Sequence, residues 1–299
     1  MGFQAPAGRA GRRTGPPGVR RPILGQPGAG ALYRRGARAY NGAMFVMSLQ
    51  SGSNGNCIYV ESDGTGLLID AGISGDAAAR RLAGAGRDIR RVEAVLISHD
   101  HADHVRCAGV YQRKFGLPLW ATRRTLAAAQ AFRSLGRLGD VRHFLPGQVL
   151  RFGPLAVEAV PTPHDAVEGV AFVLDDGCSR LGVLTDLGHV FANLPEVLAS
   201  LDAAVIESNY DPLMLANGRY PQPLQERIRG PGGHLSNLEA ADLVRRAAAG
   251  GRLRWACLAH LSEENNRPGL ALATHRRAVG RDFPLHVAWR YQPTEMMEV

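Results

Sequence analysis

A six-residue segment at residues 99–104, HDHADH, holds three imidazoles and two carboxylates. It directly follows residues 92–98, VEAVLIS, a short and nearly continuous apolar run that is typical of a strand covered on both faces. Nitrogen and oxygen donors at this density suit divalent metal ions, and the loop after a strand can turn them inward together. The sequence therefore predicts a metal centre at the end of a buried strand, in preference to a solvated loop of histidines and aspartates.

Three further polar residues follow apolar runs later in the chain. His164 lies in a Pro-Thr-Pro-His-Asp loop that its prolines stiffen, Asp186 comes two residues after an apolar run, and His260 ends one. Taken singly, His164 would more often be a surface histidine. Because polar groups at the ends of four apolar strands are typical of a cleft at a sheet edge, we expect these residues to join the 99–104 segment.

The remaining pattern is that of a mixed α/β chain. Apolar runs bounded by Gly or Asp-Gly turns predict strands, and alanine-rich amphipathic stretches predict helices. The predicted strands are 57–61, 66–70, 92–98, 118–122, 149–152, 155–161, 170–174, 180–184, 203–207, 253–260 and 285–289, and the predicted helices are 74–84, 101–115, 125–135, 194–200, 238–249 and 275–279. They arrive as two similar halves, which favours a four-layer αββα sandwich of two mixed sheets with helices outside over a doubly wound parallel sheet.

The positive charge of the chain is confined to its start. The formal net charge is +8, but residues 1–43 hold eight of the 35 basic residues and no acid, so the remaining 27 basic residues balance the 27 acidic ones. The same 43 residues carry ten glycines and five prolines, a composition that buries too little apolar surface to offset chain ordering. We therefore predict a disordered leader at 1–43, or a translated protein that begins near Met44 or Met47, and a folded domain at 44–299.

Composition also bears on the compartment. No run approaches the roughly 18 to 20 apolar residues that a membrane span needs, and the leader lacks the apolar segment of a secretory signal. The four cysteines, at positions 57, 107, 178 and 257, lie far apart without a CxxC pair, which is typical of free thiols in a reducing compartment. We predict a cytoplasmic protein with no membrane partner, and the sequence leaves its oligomeric state open.

The order HxHxDH, then His164, Asp186 and His260, resembles the metallo-β-lactamase superfamily over residues 44–299. Five segments are similar to the YycJ/WalJ group of that superfamily: SGSNGN at 51–56, TDLGH at 185–189, ESNYD at 207–211, GHLSN at 233–237 and HLSEENN at 260–266. Members of this group resemble 5′→3′ exonucleases acting on DNA. The resemblance therefore implies a metallo-β-lactamase fold, a catalytic domain at 44–299 and DNA as the substrate.

The resemblance also implies two divalent ions and their ligands. A hydroxide between the ions would be the nucleophile, and the ions would polarise the phosphoryl oxygens. Imidazole-rich sites suit zinc, while the carboxylates also suit manganese. The implied ligands are His99, His101 and His164 for one ion, Asp103, His104 and His260 for the other, and Asp186 as the bridge.

Three more residues are expected beside the ions. Asp70 matches the first acid of the superfamily and would orient a ligand histidine or the metal loop; the alternative is an ordinary turn aspartate. Glu207 and His234 resemble a pair that RNase Z-like enzymes place beside their metals. A departing oxygen needs a proton, and an imidazole held by a carboxylate supplies it. We expect His234 to be this acid or a phosphate contact and Glu207 to orient it; the alternative for His234 is a helix cap.

Two other functions stay open. Glyoxalase-type thioesterases share every ligand, so a small-molecule hydrolase of phosphodiesters or thioesters is one alternative, and a metal-binding regulator without turnover is the other. Residues 219–229, with three arginines and with Tyr210 and Tyr220 nearby, could hold a DNA strand or form a solvated loop. Histidines 143, 275 and 286 have arginine-bearing surroundings and are expected at the surface.

Overall fold

The computed structural model describes residues 1–2, 42–132 and 134–299. Nearly all of the predicted leader, residues 1–43, lies outside these ranges, so its disorder stays a prediction. The described residues form fourteen strands: β1 (Met44–Gln50), β2 (Cys57–Ser62), β3 (Thr65–Ile69), β4 (Val92–Leu96), β5 (Leu119–Ala121), β6 (Val141–His143), β7 (Val149–Phe152), β8 (Leu155–Pro161), β9 (Val170–Asp175), β10 (Arg180–Leu184), β11 (Ala203–Glu207), β12 (Trp255–Ala259), β13 (Leu285–Val287) and β14 (Met297–Glu298).

Nine helices accompany these strands in the same ranges of the chain: α1 (Gly75–Gly84), α2 (Ala102–Val105), α3 (Ala108–Phe115), α4 (Arg123–Phe132), α5 (Leu194–Ala199), α6 (Pro212–Asn217), α7 (Gln222–Arg229), α8 (Asn237–Ala249) and α9 (Pro268–Val279). The longest, α8, has 13 residues. Among the described residues, no helix has both the length and the apolar character needed to cross a membrane.

The strands assemble into two seven-stranded sheets. The first has the order β14-β1-β2-β3-β4-β5-β6, and the second has the order β13-β12-β11-β10-β9-β8-β7. Each sheet combines antiparallel neighbours with a parallel part, which comprises β3 to β6 in the first sheet and β10 to β13 in the second. The parallel parts bring several carboxyl ends of strands to one edge of each sheet, which is where polar side chains were expected.

Three apolar cores separate four layers. Leu67 of β3 belongs to the inner core between the sheets, together with Val157 and Phe172 of the second sheet. The next residue, Leu68, belongs to an outer core that includes Leu82 of α1, because successive side chains of a strand point to opposite faces. A third core joins the second sheet to α5, α8 and α9. The predicted αββα sandwich is thereby confirmed.

The observed helices differ from the predicted ones in three places. The predicted helix 101–115 is divided into α2 and α3. The amide of Cys107 would bond to the carbonyl of Asp103 in a continuous helix, but that carbonyl accepts from the amide of Asn56, and the amide of Cys107 donates to the carbonyl of Ala71. Helix α9 begins at Pro268 instead of 275, since proline is favoured at the first helical position. Residues 212–229 carried no predicted helix but hold α6 and α7, and the side chain of Asp211 caps α6.

The loops before β2 and after β3 pack against the backbone of the histidine-rich segment. The amide of Ala71 donates to the carbonyl of His104 at 2.7 Å, and the amide of Asn56 donates to the carbonyl of Asp103 at 2.7 Å. At the neighbouring Gly72, an added Cβ would lie 1.6 Å from the carbonyl oxygen of Asp103. This close approach of two backbones requires glycine at position 72.

We predict that Gly72→Ala destabilises the fold and displaces the histidine-rich segment, because one of the two backbones must move. Overpacking of this kind costs about 1–3 kcal/mol. Gly84→Ala is the matched control, since a Cβ at that position of α1 meets no atom within 4 Å. Urea unfolding of both variants checks the prediction, and equal free energies of unfolding would contradict it.

Candidate metal centre

Six strand ends bring polar side chains to one place, which we call the donor edge. Strands β10, β11 and β12 are parallel, and β8 runs in the same direction across β9, so their carboxyl ends share one edge of the second sheet. The 99–104 segment continues from β4 of the first sheet. The residues are Asp70 after β3, His99 after β4, His164 after β8, Asp186 after β10, Glu207 at the end of β11 and His260 after β12.

Three of these residues have a left-handed backbone. The φ angle is 66° at Asp70, 57° at Asp186 and 53° at His260. In the described chain the only other non-glycine residue with positive φ is Asp63, in the β2–β3 turn. The left-handed conformation costs a non-glycine residue about 1–2 kcal/mol, and residues that adopt it concentrate at functional sites. The backbone strain therefore lies in residues whose own side chains belong to the donor edge.

The first donor group consists of His99, His101 and His164, whose ligand atoms all lie within 4.8 Å of one another. Nε2 of His164 is 3.2 Å from Nδ1 of His101. The other ring nitrogens have partners: Nδ1 of His164 lies 2.9 Å from the carbonyl of Gly233, and Nδ1 of His99 lies 2.9 Å from the hydroxyl of Ser98. The ring positions therefore leave three nitrogens around one point.

The second donor group consists of Asp103, His104 and His260, again with ligand atoms within 4.8 Å. Oδ2 of Asp103 is 3.4 Å from Nε2 of His104 and 3.3 Å from Nε2 of His260. Nδ1 of His104 donates to Asp70 Oδ2 at 2.7 Å. When the ring of His104 is neutral, that donation leaves its lone pair on Nε2, the nitrogen that faces Asp103.

Asp186 lies between the two donor groups. Its Oδ1 is 3.7 Å from Nε2 of His164 and 3.6 Å from Nε2 of His260, and its Oδ2 is 3.3 Å from Nε2 of His104. The structure thus gathers all seven residues expected to bind metal at one site, and the carboxylate expected to bridge them contacts members of both groups.

The donor set fits divalent cations. Within the described residues, the buried Nε2 of His99 and Oδ2 of Asp186 have no hydrogen-bond partner, although a buried polar atom left unpaired costs about 1–3 kcal/mol. Burial holds the pKa of His99 well below its ordinary value, so its ring is neutral and carries a lone pair. Burial alone would raise the pKa of Asp186, but the imidazoles of His260 and His104 hold it well below its usual range. Burial alone would lower the pKa of His104, but Asp186 and Asp70 hold it well above its ordinary value, so this ring carries positive charge beside Asp186. A divalent ion would take over that positive charge and bind the rings in their neutral form.

Sequence reasoning missed two amides that support the second donor group. The side chain of Asn56 accepts from the amide of Gly52 at 2.8 Å, which turns its Nδ2 toward Asp103 Oδ2 at 3.1 Å. The Nδ2 of Asn209 donates to the carbonyl of His260 at 2.7 Å. Both amides lie in segments that carried the family resemblance, 51–56 and 207–211, and that resemblance was the only signal for them.

Glu207 and His234 form a hydrogen-bonded pair beside the donor groups. Nδ1 of His234 is 2.5 Å from Oε1 of Glu207 and 3.7 Å from Oδ1 of Asp186. Burial alone would lower the pKa of His234, but the neighbouring Glu207 raises it to about 9. The carboxylate itself is fully buried and accepts from the amides of Leu187 and Leu235 at 3.1 and 3.3 Å. His234 remains 19% exposed, so the pair is a fixed imidazole with access to the cleft.

A buried amide network connects the segments behind this pair. Nδ2 of Asn266 donates to the carbonyls of Ser208 and Asn209 at 2.8 and 2.9 Å and to Oδ1 of Asn237 at 2.9 Å. The hydroxyl of Ser208 is 3.1 Å from Nε2 of His275. The prediction that His275 lies at the surface is wrong: α9 starts seven residues earlier than predicted and carries this histidine into the interior, where it is fully buried.

The arginine-rich stretch 219–229 offers less to a nucleic acid than its composition indicates. Tyr210 is buried, with 7% of its surface exposed. Nε of Arg227 lies 2.5 Å from Oδ2 of Asp165. One of the two tyrosines is therefore unavailable for stacking, and one arginine already has an acidic partner.

Asp100 and His189 are also engaged by backbone groups. Oδ1 of Asp100 accepts from the amide of Val167 at 3.0 Å. Nδ1 of His189 lies 2.7 Å from the carbonyl of Pro231, and the residue is exposed. Neither residue belongs to the two donor groups.

Comparison with known proteins adds evidence from sequence and fold. Residues 51–199 match the family model of the metallo-beta-lactamase superfamily. Exodeoxyribonuclease YycJ of Bacillus anthracis is 34% identical over 260 residues, which cover 84% of this chain and 97% of that protein. Exodeoxyribonuclease WalJ of Streptococcus pneumoniae is 36% identical over 249 residues, which cover 80% and 91%. The metallo-beta-lactamase fold protein YhfI from Bacillus subtilis has a TM-score of 0.65 at 18% identity, over 86% of this chain and 100% of that one.

A four-layer αββα sandwich with histidine and carboxylate donor groups at its sheet edge defines a metal-dependent hydrolase. The chain belongs to the metallo-β-lactamase superfamily. The resemblance to the YycJ/WalJ group is confirmed by relatives at 34% and 36% identity over most of the chain. Divalent metal ions are implied by the family.

We predict that Asp70→Asn weakens metal binding without unfolding the protein. An amide at this position would turn a donor toward Nδ1 of His104 and favour the tautomer with its proton on Nε2, so the ligand lone pair would be lost. Loss of such a supporting contact typically costs 10–100-fold in metal affinity. Asparagine tolerates the left-handed backbone, so strain does not change.

Asp63→Asn is the matched control for Asp70→Asn, because it is also a left-handed aspartate but lies exposed in a turn. Competition with a chromophoric chelator measures the affinity of each variant for zinc. Equal zinc affinities in the two variants would show that Asp70 has only the role of a turn residue.

Proposed function

We propose that the protein is a binuclear metal-dependent phosphodiesterase that acts as a 5′→3′ exonuclease on DNA. The observation that carries the proposal is the position of Asp186, whose two carboxylate oxygens contact histidines of both donor groups. A carboxylate in that position suits a pair of ions that share a ligand. The names of the relatives YycJ and WalJ, both exodeoxyribonucleases, support DNA as the substrate. The 5′→3′ direction is what the resemblance to the YycJ/WalJ group implies.

The first ion would be held by His99, His101 and His164, and the second by Asp103, His104 and His260, with Asp186 shared by both. When bound, two such ions supply Lewis acidity to the phosphoryl group and activate water for attack. Five imidazoles among seven ligands favour zinc, and the two carboxylates also accommodate manganese. Asp103 belongs to the catalytic residues in this proposal because its carboxylate lies at the centre of the second group.

Glu207 and His234 would complete the chemistry. Hydrolysis of a phosphodiester breaks one P–O bond, and the departing oxygen must gain a proton. With Nδ1 of His234 bonded to Glu207, the other ring nitrogen, Nε2, is available for that oxygen or for a phosphate oxygen. Glu207 fixes the ring, since its own position is fixed by two backbone amides. We propose that His234 is the general acid and that Glu207 positions it, with neither serving as a metal ligand.

We also propose that residues 44–299 form the catalytic domain and that the enzyme works in the cytoplasm. Every residue of both donor groups lies within 44–299. All four cysteines are free thiols, and Cys57 and Cys257 are buried, which suits a reducing compartment.

The function is tested with purified, metal-loaded enzyme on end-labelled single- and double-stranded DNA, beside bis(p-nitrophenyl) phosphate and a thioester. We expect nucleotides to be released from the 5′ end, and the position of the label reports the direction. Preferred hydrolysis of the thioester would favour a glyoxalase-like enzyme. Absence of turnover on all substrates with the metals bound would favour a regulator.

In the same assay, we predict that Asp186→Ala abolishes turnover and holds both ions less tightly, because the carboxylate is shared. Metal analysis of the wild type is expected to give about two divalent ions per chain. Two tightly held ions in the variant would contradict the shared role of Asp186.

We predict that His234→Ala keeps its metal content and fold but loses about 10²–10⁴-fold in rate on DNA, the usual contribution of general acid–base catalysis. The loss should shrink on bis(p-nitrophenyl) phosphate, whose nitrophenolate leaves without a proton. His286→Ala, a change at an exposed histidine of β13, is the control and should keep wild-type rates.

Rates on both substrates, together with metal content, separate the roles of His234. Equal losses on good and poor leaving groups would reject the acid role and leave a phosphate contact or a structural role. A depleted metal content would instead make His234 a ligand, an arrangement compatible with its position near Asp186.

A further inference from the structure

An open cleft of about 430 Å³ lies beside the donor groups. Two of its aromatic side chains are exposed, by 40% at Trp289 and 67% at Tyr291. Two guanidinium groups and parts of two loops complete its wall. We call it the aromatic cleft, and its principal residues are Ser51, Leu261, Arg267, Trp289, Arg290 and Tyr291.

The aromatic cleft is on the donor edge. Strand β13 runs parallel to β12, so Trp289 follows β13 at the same edge where His260 follows β12. Ser51 connects the two directly, because its hydroxyl accepts from the amide of His260 at 2.8 Å while its own amide donates to the carbonyl of Trp289 at 3.0 Å. Leu261, the residue after the ligand histidine, also lines the cleft. A molecule in this cleft would therefore lie next to the second donor group.

The wall of the cleft is held in place by hydrogen bonds. The Arg290 side chain is only 13% exposed, and its Nη2 donates to the carbonyl of Leu261 at 2.8 Å while its Nη1 donates to Asn54 Oδ1 at 3.2 Å. The hydroxyl of Tyr291 donates to Glu263 Oε1 at 2.8 Å. Arg290 and Tyr291, the two residues after Trp289, are thus fixed to the loops that carry His260 and the 51–56 segment.

The charges of the cleft suit a phosphodiester strand. Arg267 and Arg290 face one acid, Glu263, whose Oε2 is 3.7 Å from Nη1 of Arg290. Arg267 is exposed, and its Nη1 donates to the carbonyl of Glu263 at 2.7 Å. Residues 44–299 are formally neutral as a whole, so this local surplus of positive charge is one of the places where an anionic strand finds attraction.

We propose that the aromatic cleft takes an unpaired nucleobase of the DNA strand, adjacent to the phosphate that is hydrolysed at the donor groups. The inference rests on the proposed nuclease function and adds to it which form of DNA, paired or unpaired, the enzyme binds. Exposed aromatic faces stack bases of any sequence, but only bases that have left the duplex, and arginines contact the flanking phosphates. The cleft volume lies within the range of small-molecule sites. The enzyme therefore engages a single-stranded or frayed end.

The test measures binding and turnover separately. Binding of metal-loaded enzyme to a short fluorescein-labelled oligothymidylate with phosphorothioate linkages, which resist hydrolysis, is followed by anisotropy. We expect Trp289→Ala to raise the Kd roughly tenfold, the usual loss for one base–aromatic stack, and Tyr291→Ala to raise it in the same direction. Trp289→Phe, which keeps a ring face, should retain most of the affinity. On hydrolysable single-stranded DNA, the KM of Trp289→Ala should rise while its rate on bis(p-nitrophenyl) phosphate stays unchanged.

Phe132→Ala is the matched control, because this exposed aromatic residue lies on α4, in the helix layer of the other sheet. An oligothymidylate with a single abasic position near its 5′ end gives a second check. If that base occupies the cleft, the wild type loses affinity for the abasic strand and Trp289→Ala loses nothing further, since the two changes remove the same contact.

The inference would be overturned if the Kd of Trp289→Ala equalled that of Phe132→Ala. It would also be overturned if the losses of affinity caused by Trp289→Ala and by an abasic site added up at every position of that site. The third contrary result is a loss of rate by Trp289→Ala on bis(p-nitrophenyl) phosphate as large as its loss on DNA. Should Trp289→Ala fail to fold, Tyr291→Ala gives the same decision. DNA hydrolysis with unchanged affinity in these variants rejects only the base cleft. A wild type that neither binds nor hydrolyses DNA rejects the proposed function itself.

Discussion

The buried carboxylate of Asp186 is the constraint on which the donor edge depends. An anion removed from water costs several kcal/mol unless positive charge surrounds it, and four histidines lie within 4 Å of this one. Its Oδ2 still lacks a hydrogen-bond partner among the described residues. The three left-handed residues of the site add strain of about 1–2 kcal/mol each. Such an arrangement persists because three apolar cores fix the strands, and bound cations would remove much of its electrostatic cost.

The ligand histidines gain their orientation from residues that do not belong to the donor groups. Ser98 contacts Nδ1 of His99, Asp70 contacts Nδ1 of His104, and the carbonyl of Gly233 contacts Nδ1 of His164. In each case the nitrogen that makes this contact is Nδ1, so Nε2 is the nitrogen that faces the expected position of a metal ion. These supporting contacts explain why the separated segments of the chain must close on one another before a metal site exists.

The sequence indicates which donor residues come together better than it indicates which residues support them. Imidazoles and carboxylates at strand ends are recognisable, because apolar runs mark the strands and parallel strands share an edge. Asn56 and Asn209 carry no such mark, since a single amide has many uses and their contacts arise only when distant loops meet. The break between α2 and α3 is of the same kind: the carbonyl that would continue the helix is taken by the amide of Asn56, 47 positions earlier in the chain. The burial of His275 likewise depends on where α9 begins.

Glu207 couples the metal site to the proposed proton donor. One oxygen holds Nδ1 of His234, and the other accepts from the amide of Leu187, the residue directly after Asp186. The same oxygen accepts from the amide of Leu235, the residue directly after His234. A buried carboxylate with these three donors fixes the distance between the shared ligand and the imidazole, and any displacement of one must move the other. In the proposed mechanism, the position of the phosphate between the ions and His234 would therefore be set by Glu207, a group that contacts neither the ions nor the substrate.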